Sequence, residues 1–232
     1  VFARADVRGI QNLTFDGITF DYSFRPGEPI WIRPFSFSNS EGLTIRNSTF
    51  DGDVAKGVSA VDDGYGYASG LSVRGSSDVT LEQNEVSGFY RGITVVESQD
   101  ITVRGNNLYD MRMDGMNFAE VRNVLVEENW IHDFRASLSS ADHRDMIQFW
   151  TNGTDSPTEN VVIRGNRLDI GAGDFTQSIF MRNEEVDLGR AGKEMFYRNI
   201  LIEENVITNA QMNGIVVGET AGLTIRQNTL LH

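Results

Sequence analysis

Asp100-Ile101-Thr102-Val103-Arg104-Gly105-Asn106-Asn107-Leu108 carries the pattern on which the fold turns. From Ile101 it reads apolar, any, apolar, two of any kind, Asn, any, apolar. Segments beginning at Val79, Val124, Val161, Ile200 and Leu223 fit the same template. Segments beginning at Leu13 and Leu43 keep its three apolar positions but carry Ile18 and Ser48 in place of Asn. The eight starts are separated by 30, 36, 22, 23, 37, 39 and 23 residues, so three intervals are basal and four carry insertions.

Each interval holds a second apolar, any, apolar strand: Phe35/Phe37, Leu71/Val73, Ile93/Val95, Met116/Phe118, Ile147/Phe149, Ile179/Met181 and Ile215/Val217. In five of the seven intervals the next template begins eight residues after the first of these. Alternation at period two in Val, Ile and Phe specifies strands. A repeat this short, with no strand able to bury its own apolar face, specifies a solenoid of stacked turns. A leucine-rich repeat needs a helical segment per turn, and a propeller blade needs about 40 residues. The expectation is an all-β, right-handed parallel β-helix of about eight turns in one domain over residues 1–232. The recurrent Asn84, Asn106, Asn129, Asn166, Asn205 and Asn228 are expected to stack at a bend, their amides bonding along the stack and their backbone left-handed.

Composition narrows the partners. A net charge of -13 argues against nucleic acid and anionic membranes as partners, since both require basic patches. No apolar run approaches the ~18 residues of a membrane span. Zero cysteines removes disulfides, thiolate metal sites and a cysteine nucleophile. Because the pattern opens and stops inside strands, the chain is expected to be a segment of a longer, exported protein, extracellular or on a bacterial surface. Its solenoid ends would be open to further domains or to a second copy. No phosphate-binding loop, zinc helix or Gly-x-Ser-x-Gly elbow is present, so no nucleotide or organic cofactor is expected.

Insertions precede the second strand in the first, second, fifth and sixth turns and follow it in the fifth and sixth. They wall a groove across residues 109–182, because loops on successive turns of a solenoid collect on one flank. Outward ladders there read Ser72, Thr94, Asn117, Gln148, Phe180 and then Arg74, Val96, Ala119, Trp150, Arg182. Trp150 is a stacking platform for a sugar ring, with Gln148, Asn117 and Arg182 as polar contacts. Asp114 and Asp145 fall about 4.8 Å apart in a neighbouring column. Carboxylates that close share a proton, take a bridging cation such as Ca²⁺, or pair with Arg91 and Arg144. Asp142-His143-Arg144-Asp145 is the densest chemical cluster: His143 or Tyr109 would be the base, and Arg144 the partner of a carboxylate. Asp62-Asp63-Gly64-Tyr65-Gly66-Tyr67 is a second candidate for calcium or for acid chemistry.

Asp100-Ile-Thr-Val-Arg-Gly-Asn106 and Asn160-Val-Val-Ile-Arg-Gly-Asn166 resemble turns of the pectin-lyase-like right-handed β-helix superfamily. Within it they are most similar to bacterial secreted mannuronan C5-epimerases and polysaccharide lyases. The resemblance implies a polysaccharide held in a groove along the helix, often with Ca²⁺, and lyase or epimerase chemistry. The epimerase motif Tyr-Gly-x-Asp-Pro-His is absent; Tyr65-Gly66-Tyr67-Ala68-Ser69 begins like it and diverges, so no catalytic role is carried over. For a hydrolase, Asp114 and Asp145 would lead as a retaining pair. The competing expectation is a non-catalytic solenoid, such as an adhesin, surface-layer protein or phage receptor-binding spike, that binds glycans through its loops.

Overall fold

A computed structural model describes residues 1–208 and 213–231. It contains three eight-stranded parallel sheets, each built from one strand per turn. We name them by their order within a turn. Sheet I collects Ala5–Arg8, Phe35–Ser38, Ser69–Arg74, Arg91–Val96, Asp114–Ala119, Asp145–Phe149, Gln177–Met181 and Ile215–Val217. Sheet II holds the templates, from Gln11–Asp16 to Thr220–Arg226, and sheet III the three-residue strands that follow the Asn position, from Thr19–Asp21 to Thr229–Leu231. The right-handed parallel β-helix of about eight turns is therefore present, with three strands per turn.

Register is strict. Val79, Ile101, Val124, Val161, Ile200 and Leu223 are Cα partners in succession on sheet II. Met116, Ile147, Ile179 and Ile215 do the same on sheet I. Inward residues therefore form columns through one continuous core, as Phe20 on Phe50 (centroids 4.4 Å apart) and Phe118 on Phe149 (4.7 Å) illustrate.

The bends are held by side chains. Asn129 donates from Nδ2 to Val103 O and to Asn166 Oδ1, both at 2.9 Å, while its own Oδ1 accepts from the Asn106 backbone N–H and Nδ2. The unit repeats from Asn84 to Asn228. The left-handed residue is not the asparagine, however. It is the one before it, Gln83, Gly105, Glu128, Gly165, Glu204 or Gln227, with φ between 54° and 63°. The asparagine amide supplies the inter-turn bonds, and its neighbour supplies the reversal. At the bend between sheets I and II a serine ladder does the same work: Ser40 N–H donates to Ser76 Oγ and Ser76 N–H to Ser98 Oγ, each 3.1 Å.

On the outer face of sheet II, Asp16, Arg46, Glu82, Arg104, Glu127, Arg164, Glu203 and Arg226 form one column of alternating sign. Ion pairs run along it, including Arg104 with Glu82 (2.9 Å) and Arg164 with Glu127 (3.0 Å). Exposed pairs add little stability. They leave that face with its charges already matched, which distinguishes it from sheet I.

The amide ladder yields a test. Asn129→Ala strands the buried Val103 carbonyl and Asn106 N–H, and each such loss costs about 1–3 kcal/mol. Urea denaturation should show a loss of about 2–4 kcal/mol. Asn152→Ala, which deletes an exposed acceptor for Arg190 Nη2, should cost under about 0.5 kcal/mol.

Candidate functional site

In the four central strands of sheet I the opening residues Arg91, Asp114, Asp145 and Gln177 line up on successive turns beside the entering loops. Gly115 lets the turns approach here: Met146 O lies 2.5 Å from where a Cβ would sit. The two aspartates have no solvent exposure. Asp114 Oδ1 accepts the Asp145 backbone N–H at 3.1 Å, and its Oδ2 accepts from Arg91 Nε (3.3 Å) and Asn117 Nδ2 (3.2 Å). Asp145 Oδ1 accepts from Gln177 Nε2 (3.0 Å) and its Oδ2 from His143 Nδ1 (2.7 Å).

Burial pushes both carboxyls above the ordinary range, and for Asp114 the neighbouring Asp145 charge adds to burial, raising it to about 7. The donors around the pair oppose that shift. Every carboxylate oxygen of the pair already accepts an N–H and neither residue reaches solvent, so a Ca²⁺ ion, which collects six to eight oxygens, would have to displace these donors to enter. Among the described residues no three His, Asp or Glu side chains converge as a metal cluster. These residues do not fit a calcium site in the arrangement seen.

His143 is the reactive group that reaches solvent, its side chain 48% exposed. Its tautomer follows from its partners. Gln177 Oε1 accepts from Asn213 Nδ2 (2.7 Å), so the Gln177 amide N–H groups face Asp145 Oδ1 and His143 Nε2 (2.8 Å). His143 Nε2 therefore carries the lone pair, and Nδ1–H is given to Asp145. Asp145 raises the His143 pKa through that hydrogen bond, burial opposes it, and the Gln177 donor at Nε2 also works against protonation. The imidazole leans on Phe180, centroids 4.6 Å apart, which places it over the outer face of sheet I.

That face brings together most of the residues singled out from the sequence. Gln148 is the register partner of both Asn117 and Phe180, and Asn117 is buried against Asp114. Trp150 and Arg182 follow the adjoining strands of sheet I, Trp150 half-buried and Arg182 bound to Asp187 at 2.9 Å. Arg182 is near enough for its charge to lower the His143 pKa. Two residues lie elsewhere. Arg144 turns away, its guanidinium 4.6 Å over the Phe175 ring. Tyr109 is on sheet III, where its hydroxyl bonds Glu85 and its ring stacks on His132. The Asp62–Tyr67 loop spends its carboxylates internally, Asp62 on Arg112 and Ser59, Asp63 on the Val58 N–H.

Arg112 was not legible as a site residue. Its side chain is 3% exposed and grips Asp62 (2.7 Å) and Asp142 (3.0 Å), tying two insertions from distant turns together. Tyr90 donates to the same Asp142 at 3.0 Å. The clamp fixes the residue preceding His143. Its one sequence signal is an arginine between Met111 and Met113 in a segment otherwise headed for the core.

Among the described residues no helix is long and apolar enough to cross a membrane. The chain is similar to PfbA, a surface adhesin of Streptococcus pneumoniae, at TM-score 0.69 and 16% identity over 97% of this chain and 61% of that one. It is also similar to a mutant form of the periplasmic alginate epimerase AlgG, at TM-score 0.64 and 11% identity over 96% of this chain and 46% of that one. It thus spans about half to three fifths of their length, and likeness at such identity speaks for fold alone. No curated protein matches the sequence. Residues 35–232 match the family described as a right handed beta helix region. By that match, and by its three parallel sheets in register, the chain belongs to the right-handed β-helix family.

Proposed function

We propose that the outer face of sheet I is a groove in which a polysaccharide is processed by proton transfer at His143. The observation that carries this reading is the Asp145–His143 pair: a fully buried carboxylate orients a half-exposed imidazole so that its basic nitrogen is on the far side. Two adjacent buried carboxylates are costly in a solenoid that could place apolar or alternating charges there. Their expense is accounted for if they set the orientation and basicity of His143.

The chemistry this supports best is removal of the proton α to a uronate carboxylate. His143 Nε2 takes that proton once the Gln177 amide moves aside. Gln148 and Arg182 hold the substrate carboxylate as negative charge spreads onto it. The electron pair then expels the glycosidic oxygen at the β carbon, which takes its proton from the His143 imidazolium or from water, as in a lyase, or takes a proton from water on the opposite face while the imidazolium returns its own to solvent, as in a C5-epimerase. Asp114 and Asp145, shut off from solvent, suit neither the nucleophile nor the acid of a glycoside hydrolase as they stand. An extracellular or cell-surface setting follows from a polymeric substrate.

Incubating the protein with a panel of uronate polysaccharides, with and without calcium, tests this through unsaturated-product absorbance and deuterium exchange at C5. The wild type should act on a member of the panel, and His143→Gln should lower turnover by about 10²–10⁴-fold. Binding without turnover across the whole panel would favour the non-catalytic, adhesin-like solenoid instead.

Because the base form of His143 acts, kcat/KM should rise with pH through its elevated pKa. Asp145→Asn removes the hydrogen bond that raises it. Its pH limb should move to lower pH while its plateau falls.

Stability should respond separately at Asp114. Its pKa of about 7 in the folded chain lies above the ~3.9 of an unfolded one, so the folded state holds the proton more tightly. That contribution is fully present below about pH 4 and is lost as pH rises through about 7. Relative to Asp114→Asn, wild-type unfolding free energy should drop by about 1–4 kcal/mol between pH 4 and pH 8. A constant difference between the two would show that the three donors keep Asp114 ionised.

A further inference from the structure

The outer face of sheet I does not end at the aspartates. Toward the N-terminus the column that holds Gln148 and Asn117 continues through Thr94, Ser72 and Ser36 on successive turns. These hydroxyls and that of Ser38 line a cavity of about 150 Å³ bounded by Arg33, Arg74 and Val96. Thr94 lies two turns from Gln148, roughly 10 Å along the rod.

Two properties set this cavity apart. Four buried side-chain polar atoms lack a hydrogen-bond partner among the described residues, and two of them, Ser72 Oγ and Thr94 Oγ1, are in its wall. Ser72 is 5% and Thr94 9% exposed, so neither is met by bulk water, and buried hydroxyls are otherwise satisfied. The second is charge. Arg33, at the mouth, makes no ion pair among the described residues, whereas Arg74 is engaged by Glu97 and Arg91 by Asp114. Burial, and the positive charge of Arg74 and Arg91, lower the Arg33 pKa, the mark of a cation set among cations with no anion supplied by the chain.

We propose that this cavity is an oxyanion subsite, in which Arg33 and the hydroxyls of Ser36, Ser72 and Thr94 bind a sulfate-ester or carboxylate substituent of a sugar lying along sheet I. This rests on the reading of that face as a glycan groove, but not on turnover there. An arginine fork and a stack of hydroxyl donors supply hydrogen bonds from two directions to a group with several accepting oxygens. The anion would complete both orphaned hydroxyls and the free guanidinium at once. It also reconciles a chain of net charge -13 with an anionic polymer, since the positive charge is concentrated where the substituent sits.

Calorimetric titration with dextran sulfate, polygalacturonate and uncharged dextran tests the site. The wild type should bind at least one of the two anionic polymers and not dextran. Arg33→Ala should weaken binding at least tenfold. Arg46→Ala, which removes the same charge from sheet II, should leave binding unchanged. Thr94→Val keeps the shape and deletes the hydroxyl, so it should weaken binding several-fold without lowering Tm.

Binding of dextran sulfate alone assigns the pocket to sulfate esters. Binding of polygalacturonate alone assigns it to carboxylates, and binding of both means it reads charge. The proposal is overturned if no anionic polymer binds, if dextran binds equally well, or if Arg33→Ala and Arg46→Ala have the same effect. Should binding depend on Arg33 while no polysaccharide is turned over, the subsite stands and the catalytic reading of His143 falls.

Discussion

Parallel pairing of each turn with the next, in unslipped register, is the constraint from which the rest of this molecule follows. It converts every position of the repeat into a column, so that whatever the sequence places at one position meets its own kind about 4.8 Å away. Apolar columns make the core. Asparagine and serine columns close the bends, because an asparagine amide donates to and accepts from neighbouring turns, while a serine hydroxyl accepts an N–H of the preceding turn and donates to a carbonyl of its own. A charged column has no such complementarity with itself. On sheet II the conflict is resolved by alternating sign from Asp16 to Arg226, which also penalises a slip of one turn, since that would set like charges side by side. On sheet I it is not resolved that way: two aspartates are adjacent, buried, and held by donors from Arg91, Asn117, Gln177 and His143.

The fold was legible because period and register are properties of the sequence. Counting from Ile101 to Val124 to Val161 predicts the pairs that form, and the same count puts Asp114 beside Asp145. The placement of Gln148, Trp150 and Arg182 on one face followed likewise from alternation along strands. The left-handed residue was misassigned by one position because Asn is the recurrent residue, whereas its predecessor varies among Gly, Gln and Glu. A strained position need not carry a fixed residue when the neighbouring amide ladder holds the bend.

What could not be read was where loop side chains go. Arg144 and His143 are adjacent in sequence, yet one lies over Phe175 and the other on Asp145. Tyr109 looked available because nothing in the repeat says that the strand after each Asn belongs to a third sheet facing another way. Arg112 shows the limit most clearly, since its partners Asp62 and Asp142 come from insertions fifty residues and thirty residues distant. Insertions have no register of their own. Contacts such as this buried ion pair, expensive to break once formed, make their geometry definite.

The same reasoning explains why chemistry gathers on sheet I. Its strands are entered by the longest insertions, so its outer face is partly roofed, and polar groups there lose water without being matched by the neighbouring turn. At the centre that lack is met within the protein, by a chain of hydrogen bonds running from Asn213 through Gln177 to His143, Asp145 and Asp114. Toward Arg33 it is left unmet, with two hydroxyls and a guanidinium that have no partner among the described residues. A surface that satisfies its own polar groups gains nothing from a ligand; one that leaves donors unpaired beside a cavity is completed by an acceptor. In the reading proposed for this face, its two halves are complementary in kind, one moving a proton and the other holding an anion in line with it.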